Sequence, residues 1–158
     1  MAHHDQPILI AYDGSEYAKA AIKQAGEQLC GGRRAIVLTV WQPFNANGFV
    51  GAPGVAPAEL EEDAERDALW VAEEGAELAR SAGFEAEPVI AQGDPVWERI
   101  VETADQHDAR IVVMGSHGRT GISRLLLGSV ASTAASHTAR PVLIAHDGAP
   151  PSKGIGQD

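Results

Sequence analysis

Two short segments hold the residues whose types and spacing suit chemistry: Asp13-Gly14-Ser15 near the start, and the run from Gly115 to Ser129. In the longer run Gly115, Gly118 and Gly128 punctuate a stretch that also carries Ser116, His117, Arg119, Arg124 and Ser129. Gly115 ends an apolar run without a Cβ, which lets a ligand lie against the backbone. Gly118 permits positive φ, the conformation in which successive N–H groups converge on an anion. Gly128-Ser129 opens a helical pattern, and the first N–H groups and dipole of a helix favour negative charge. Arg119 and Arg124 add local cations. A hydrogen bond to a charged group contributes about 1.5–3 kcal/mol, so a handful of such contacts can hold a polyphosphate without a basic surface.

Other chemistries fit the same residues poorly. The P-loop pattern G-x-x-x-x-G-K-[ST] is absent, and no lysine stands between Lys23 and Lys153. The dinucleotide fingerprint G-x-G-x-x-G is missing from the turn after the first apolar run. Ser116 and His117 are adjacent, and neighbours in sequence are not expected to face each other as nucleophile and base. No acid or glutamine is identifiable as a water-positioning group for hydrolysis. His3 and His4 belong to a ragged terminus, while His107, His137 and His146 fall at element ends. Trp41 and Trp70 read as packing residues, and Asp13 has a simple alternative role in capping a helix.

The elements that must position these residues alternate along the chain. Ile8 to Tyr12 reads as a buried strand, broken by Asp13-Gly14-Ser15, with Ser15 capping a helix whose inner face is Ala18, Ala21, Ile22, Ala25 and Leu29. Gly31-Gly32 ends that helix, and Ala35 to Val40 is a second buried strand. Residues 42–57, dense in Gly and Pro, form a long mobile loop. A helix of about 25 residues follows Pro57, with Leu60, Ala64, Ala68, Val71, Gly75 and Leu78 as its stripe and Gly83 as its stop. Acidic residues from Glu59 to Glu65 suit its N-terminal dipole. Glu87 to Ala91 is a third strand, placed at an edge by Pro88. Asp94-Pro95 marks an N-cap and first helical residue, ahead of inward Val96, Trp97, Ile100, Val101 and Ala104. Ile111 to Met114 is the fourth strand and runs straight into Gly115. A short helix from Ser129 carries Val130, Ala134 and His137, and Pro141 to Ala145 is the fifth strand.

Strands alternating with helices predict an α/β fold: one open, parallel five-stranded sheet, Rossmann-like, with helices on both faces and right-handed crossovers. Residues 1–7 are expected to be a flexible N-terminus, 8–146 the folded domain and 147–158 a disordered tail. A length of 158 residues suits one core. The formal net charge of −10 argues against a nucleic-acid or anionic-membrane partner. Cys30 is the single cysteine, so an intramolecular disulfide is impossible, and it reads as a small buried hydrophobe. The N-terminus lacks an apolar signal-peptide core, and no apolar run approaches the ~20 residues of a spanning helix. The expectation is a cytoplasmic protein.

The spacing Gly115-x2-Gly118-x9-Gly128-Ser129 resembles the ATP-binding signature of the universal stress protein family, and Ile8 to Ser15 resembles that family's first strand and turn. The likeness runs from about Ile8 to His146. It implies strand order 3-2-1-4-5, ATP across the crevice with Mg²⁺ held through the phosphates, and a homodimer paired through the last strand, Pro141 to Ala145. By position it implies Asp13 at the ribose, Ala11 and Tyr12 beside the nucleoside, Met114 lining the adenosine side and the Val40 backbone at the adenine edge. Gly115, His117, Gly118, Arg119, Gly128, Ser129 and Val130 would flank the phosphates. It further implies a nucleotide-dependent sensor or regulator in the stress response. The alternatives are a slow ATPase using Asp13 and a metal, or a module for another adenine nucleotide such as cyclic AMP.

Overall fold

Runs in which nearly every residue is apolar become strands buried on both faces, as parallel sheets require. In the computed structural model, which describes residues 5–29, 31–43, 54, 56–118 and 127–146, these runs are β1 (Ile8–Ala11), β2 (Arg34–Trp41), β3 (Glu85–Gln92), β4 (Ile111–Gly115) and β5 (Val142–Ala145). Between them lie α1 (Glu16–Gln28), α2 (Pro57–Ser81), α3 (Val96–Gln106) and α4 (Ser129–His137). Every strand pair is parallel and the order is β3-β2-β1-β4-β5. Central β1 sets Ile10 beside Val37 of β2 and Val113 of β4. The chain leaves β1 toward β2 and leaves β4 toward β5, so connections diverge at the β1/β4 tips, where ligands of open α/β sheets bind. β3, carrying Pro88, is an edge strand as expected.

Alternation along the strands divides the core into two layers. Ile8, Ile10, Tyr12 and Val37 pack against Ala18, Ala21, Ile22 and Ala25 of α1 and Ala76 and Ala79 of α2. On the other face Leu9, Ile36, Leu38, Val112 and Met114 pack against Ile100 and Ala104 of α3 and Ala131 and Ala134 of α4. The Ser15 cap forms, with the Ala18 N–H donating to Ser15 Oγ at 3.1 Å. Gly83 lies just beyond α2 with φ +101°.

Several local readings change. α2 buries Ala68, Ala72, Gly75, Ala76 and Ala79, while Leu78 is 37% exposed. Small residues face inward because the helix lies close on the sheet: a Cβ on Gly75 would come within 2.6 Å of the Tyr12 ring and 2.8 Å of Val37. α3 begins one residue later than expected, with Pro95 at its N-cap, because the Asp94 carboxylate accepts from the Gln42 amide at 3.1 Å and does not cap the helix. α1 ends at Gln28, ahead of Gly31-Gly32. In α4 the inward residues are Ala131 and Ala134; Val130 and His137 are exposed, and His137 stacks on Trp97 with ring centroids 4.4 Å apart. Cys30, residues 44–53 of the long loop and residues 147–158 lie outside the described residues.

Candidate functional site

The crevice begins where β1 stops. The Tyr12 N–H donates to the Leu38 carbonyl at 2.8 Å, and buried Thr39 Oγ1 donates to the Tyr12 carbonyl at 2.9 Å, so the chain is held to β2 for one residue beyond the strand. Gly14 then turns the backbone with φ +80°, a conformation favourable to glycine. The Ser15 N–H donates to Asp13 Oδ1 at 3.0 Å, which fixes the carboxylate over the turn. Its other oxygen, Oδ2, lies where a Cβ on Gly118 would come within 2.9 Å. The two segments singled out by composition therefore meet.

The tip of β4 owes its glycine to α1. A Cβ on Gly115 would stand 2.7 Å from the carbonyl carbon and Cβ of Tyr17, so the close neighbour is the first turn of α1 and not a ligand. Positive φ is likewise not the role of the later glycines. Neither Gly118 nor Gly128 adopts it, and Gly128 has φ −59°. Gly118 clears room for Asp13, and Gly128 for the Ser116 carbonyl, which accepts from the Gly128 N–H at 2.8 Å. That bond, with Ser116 N–H donating to the Ala145 carbonyl at 2.8 Å, sets the start of α4 against the end of β4. Gly128 is the N-cap of α4 and supplies no side-chain cap, so the first-turn amides open toward the crevice.

The resulting cavity has a volume of about 770 Å³. Ala11, Tyr12, Asp13, Val40, Met114, Gly115, His117, Gly118, Gly128, Ser129 and Val130 all line it. Arg119, the remaining predicted residue, lies outside the described residues, as does Arg124. Sequence reasoning missed a whole wall: Ala64, Asp67, Ala68 and Val71 of α2, together with Thr39, Trp41 and Gln42 at the end of β2 and Val96 and Ile100 of α3. Trp41 and Gln42 were findable as the continuation of the strand that carries Val40. Trp41 thus lines the cavity, and Trp70, at 69% exposed, is not a packing residue either.

The described lining contains no lysine or arginine, and it holds two acids, Asp13 and Asp67. Amides, the His117 ring, the Ser129 hydroxyl and the Trp41 indole N–H are among the lining groups that can donate to an anion. Ser116 Oγ and His117 Nδ1 lie 3.0 Å apart, so these neighbours do face each other, contrary to the expectation from adjacency. Ser116 is only 1% exposed, in the wall of the cavity behind His117. The Tyr17 ring lies against His117, with centroids 5.0 Å apart and planes tilted by 50°. Burial first, then a hydrogen bond to Glu74 and the charges of Glu74, Asp13 and Glu16, raises the Tyr12 phenol far above the usual tyrosine range. Tyr12 is therefore a neutral donor to Glu74 of α2 at ordinary pH. Among the described residues no three His, Cys, Asp or Glu side chains are grouped to hold a metal.

Known proteins share this fold. The model of the universal stress protein family matches residues 6–146. Universal stress protein YxiE of Bacillus subtilis is 31% identical over 147 residues, covering 87% of this chain and 96% of its own. The solved structure of MJ0577 from Methanocaldococcus jannaschii superposes with a TM-score of 0.75 at 27% identity, covering 94% of this chain and 99% of that one. A universal stress protein solved in complex with cAMP shares the fold with a TM-score of 0.65 at 24% identity, over 91% of this chain and 99% of its own. Family model, full-length relative and sheet order agree: this chain belongs to the universal stress protein family.

Proposed function

We propose that this protein binds ATP in the β1/β4 crevice and acts as a nucleotide-dependent sensor or regulator in the stress response of the cytoplasm. The observation that carries this reading is the contact between the two segments: Asp13 Oδ2 abuts Gly118, beside an α4 whose N-cap, Gly128, has no side chain. An acid suited to ribose hydroxyls thus sits next to amides suited to phosphates. The fit for a triphosphate rests on those amides, on His117, Ser129 and Val130, and on Arg119, next in sequence to Gly118. Mg²⁺, held through the phosphates with Asp13 nearby, would offset the acidic lining. No described helix is long and apolar enough to cross a membrane, and the net charge of −10 disfavours nucleic acid. The domain, 8–146, is proposed to pair with a second copy through β5.

Purified protein should release an adenine nucleotide on denaturation. ATP at 100 times its Kd should add ~2.7 kcal/mol of stability, roughly 5–10 °C in melting temperature. Gly118→Val should abolish that shift, because its side chain displaces the Asp13 carboxylate, with little change in the unliganded melting point. An undiminished shift in the variant would remove the site from this crevice. Cyclic AMP is the second reading, supported by the relative solved with it. If it is the physiological ligand, cyclic AMP will displace ATP at lower concentration than ATP displaces it.

A further inference from the structure

α2 turns its alanines to the sheet and carries two large apolar residues into solvent, Leu69 at 45% and Trp70 at 69% exposed. The fold makes no use of them there. Tryptophan is a poorer helix former than alanine, and neither residue belongs to either core layer. Positions three and four apart are neighbours on a helix, so Arg66 and Glu73 flank the pair, one turn to each side. Asp63 and Glu77 stand a further turn away, and all four are exposed. Asp63 pairs with Arg66 at 2.9 Å and Glu77 with Arg80, whereas Glu73 enters none of the ion pairs among the described residues. The helix as a whole carries nine acidic residues against two arginines, so the field around Trp70 is negative.

An aromatic anchor inside a polar rim is the make-up of a protein-contact hot spot. The charge decides what it meets. A second copy would set acid against acid, because a two-fold contact lays a patch against itself. Nucleic acid and anionic membrane surfaces are repelled in the same way. A lysine- or arginine-rich partner is attracted, and its cations can also lie over the indole face. We propose that the outer face of α2, centred on Trp70, docks a basic protein segment that offers an apolar recess to the indole. Asp67 and Val71, close to Trp70 in sequence, line the cavity, so the partner would load a helix that also walls it. The docking itself does not depend on what the cavity holds.

The probe is a synthetic amphipathic helix of leucine and lysine, with two companions: one with glutamate for lysine, one with serine for leucine. The full chain should bind the first more tightly than either companion, more weakly as salt rises, and with a blue shift of tryptophan emission. Trp70→Phe should remove most of that shift, since Trp41 lines the cavity and Trp97 packs on the opposite face of the sheet. Trp70→Ala should weaken Kd roughly 10- to 30-fold, the scale of a hot-spot aromatic, with the melting temperature unchanged. Glu73→Lys should weaken binding and flatten its salt dependence. Failure to bind the lysine peptide, an unchanged Kd in Trp70→Ala, or equal binding of the glutamate peptide overturns the proposal. Self-association of the chain alone that Trp70→Ala abolishes, read by sedimentation, overturns it in favour of a contact between copies. A blue shift with phosphatidylcholine vesicles that Trp70→Phe removes overturns it in favour of a lipid surface.

Discussion

Tyr12 shows how one side chain serves both stability and site. Its ring is 2% exposed beneath Gly75 of α2, its backbone carries the chain from β1 to Asp13, and its hydroxyl donates to Glu74. Because folding raises the phenol's pKa, the neutral form is favoured in the folded state. The stability linked to it is complete below the ordinary tyrosine value of about 10 and is lost as pH climbs toward the folded value, at about 1.4 kcal/mol per pH unit. Tyr12→Phe should cost about 1 kcal/mol near neutrality through the lost hydrogen bond. It should also lose less stability than wild type between about pH 8 and pH 11. Urea unfolding of both proteins at the two pH values measures this, and parallel losses would show that the phenol does not titrate in that window.

At the scale of elements, α2 has the least readable placement. Its length, its start at Pro57 and its stop at Gly83 follow from sequence, but its rotation does not. Leucine at 60 and 78 outweighs alanine in any hydrophobic stripe, yet Ala72, Ala76 and Ala79 face the sheet because the helix approaches too closely for larger groups. That distance is a property of two surfaces together. Gly75→Ala tests it. Alanine is the better helix former by about 1 kcal/mol, yet its methyl would meet Tyr12 and Val37. Net destabilisation of about 1–3 kcal/mol is expected from overpacking, read from denaturant midpoints. A stabilised variant would show that α2 can move outward freely.

The same limit explains the site. Asp13, Gly118 and Gly128 were legible because turn chemistry and helix starts are local, and the β1 and β4 tips follow from the alternation of strands and helices. The glycine roles were misassigned because what a missing Cβ avoids (Tyr17 for Gly115, Asp13 for Gly118) comes from other segments. The α2 wall was invisible for that reason too. For the whole molecule, β5 is the open edge beyond β4. Pro141 and Ala145 carbonyls bond toward β4, so by alternation residue 144 directs its N–H outward. If a homodimer forms through this strand, Ile144→Pro should remove an outward donor and halve the mass found by sedimentation, with the monomer still folded. An unchanged mass places the contact elsewhere.

The cavity draws its walls from α2 on one flat side of the molecule and α3 on the other. Whatever occupies it is thus gripped from both sides at once, like a coin held between finger and thumb. An occupant touching both walls would tie the two helices together around the end of the sheet.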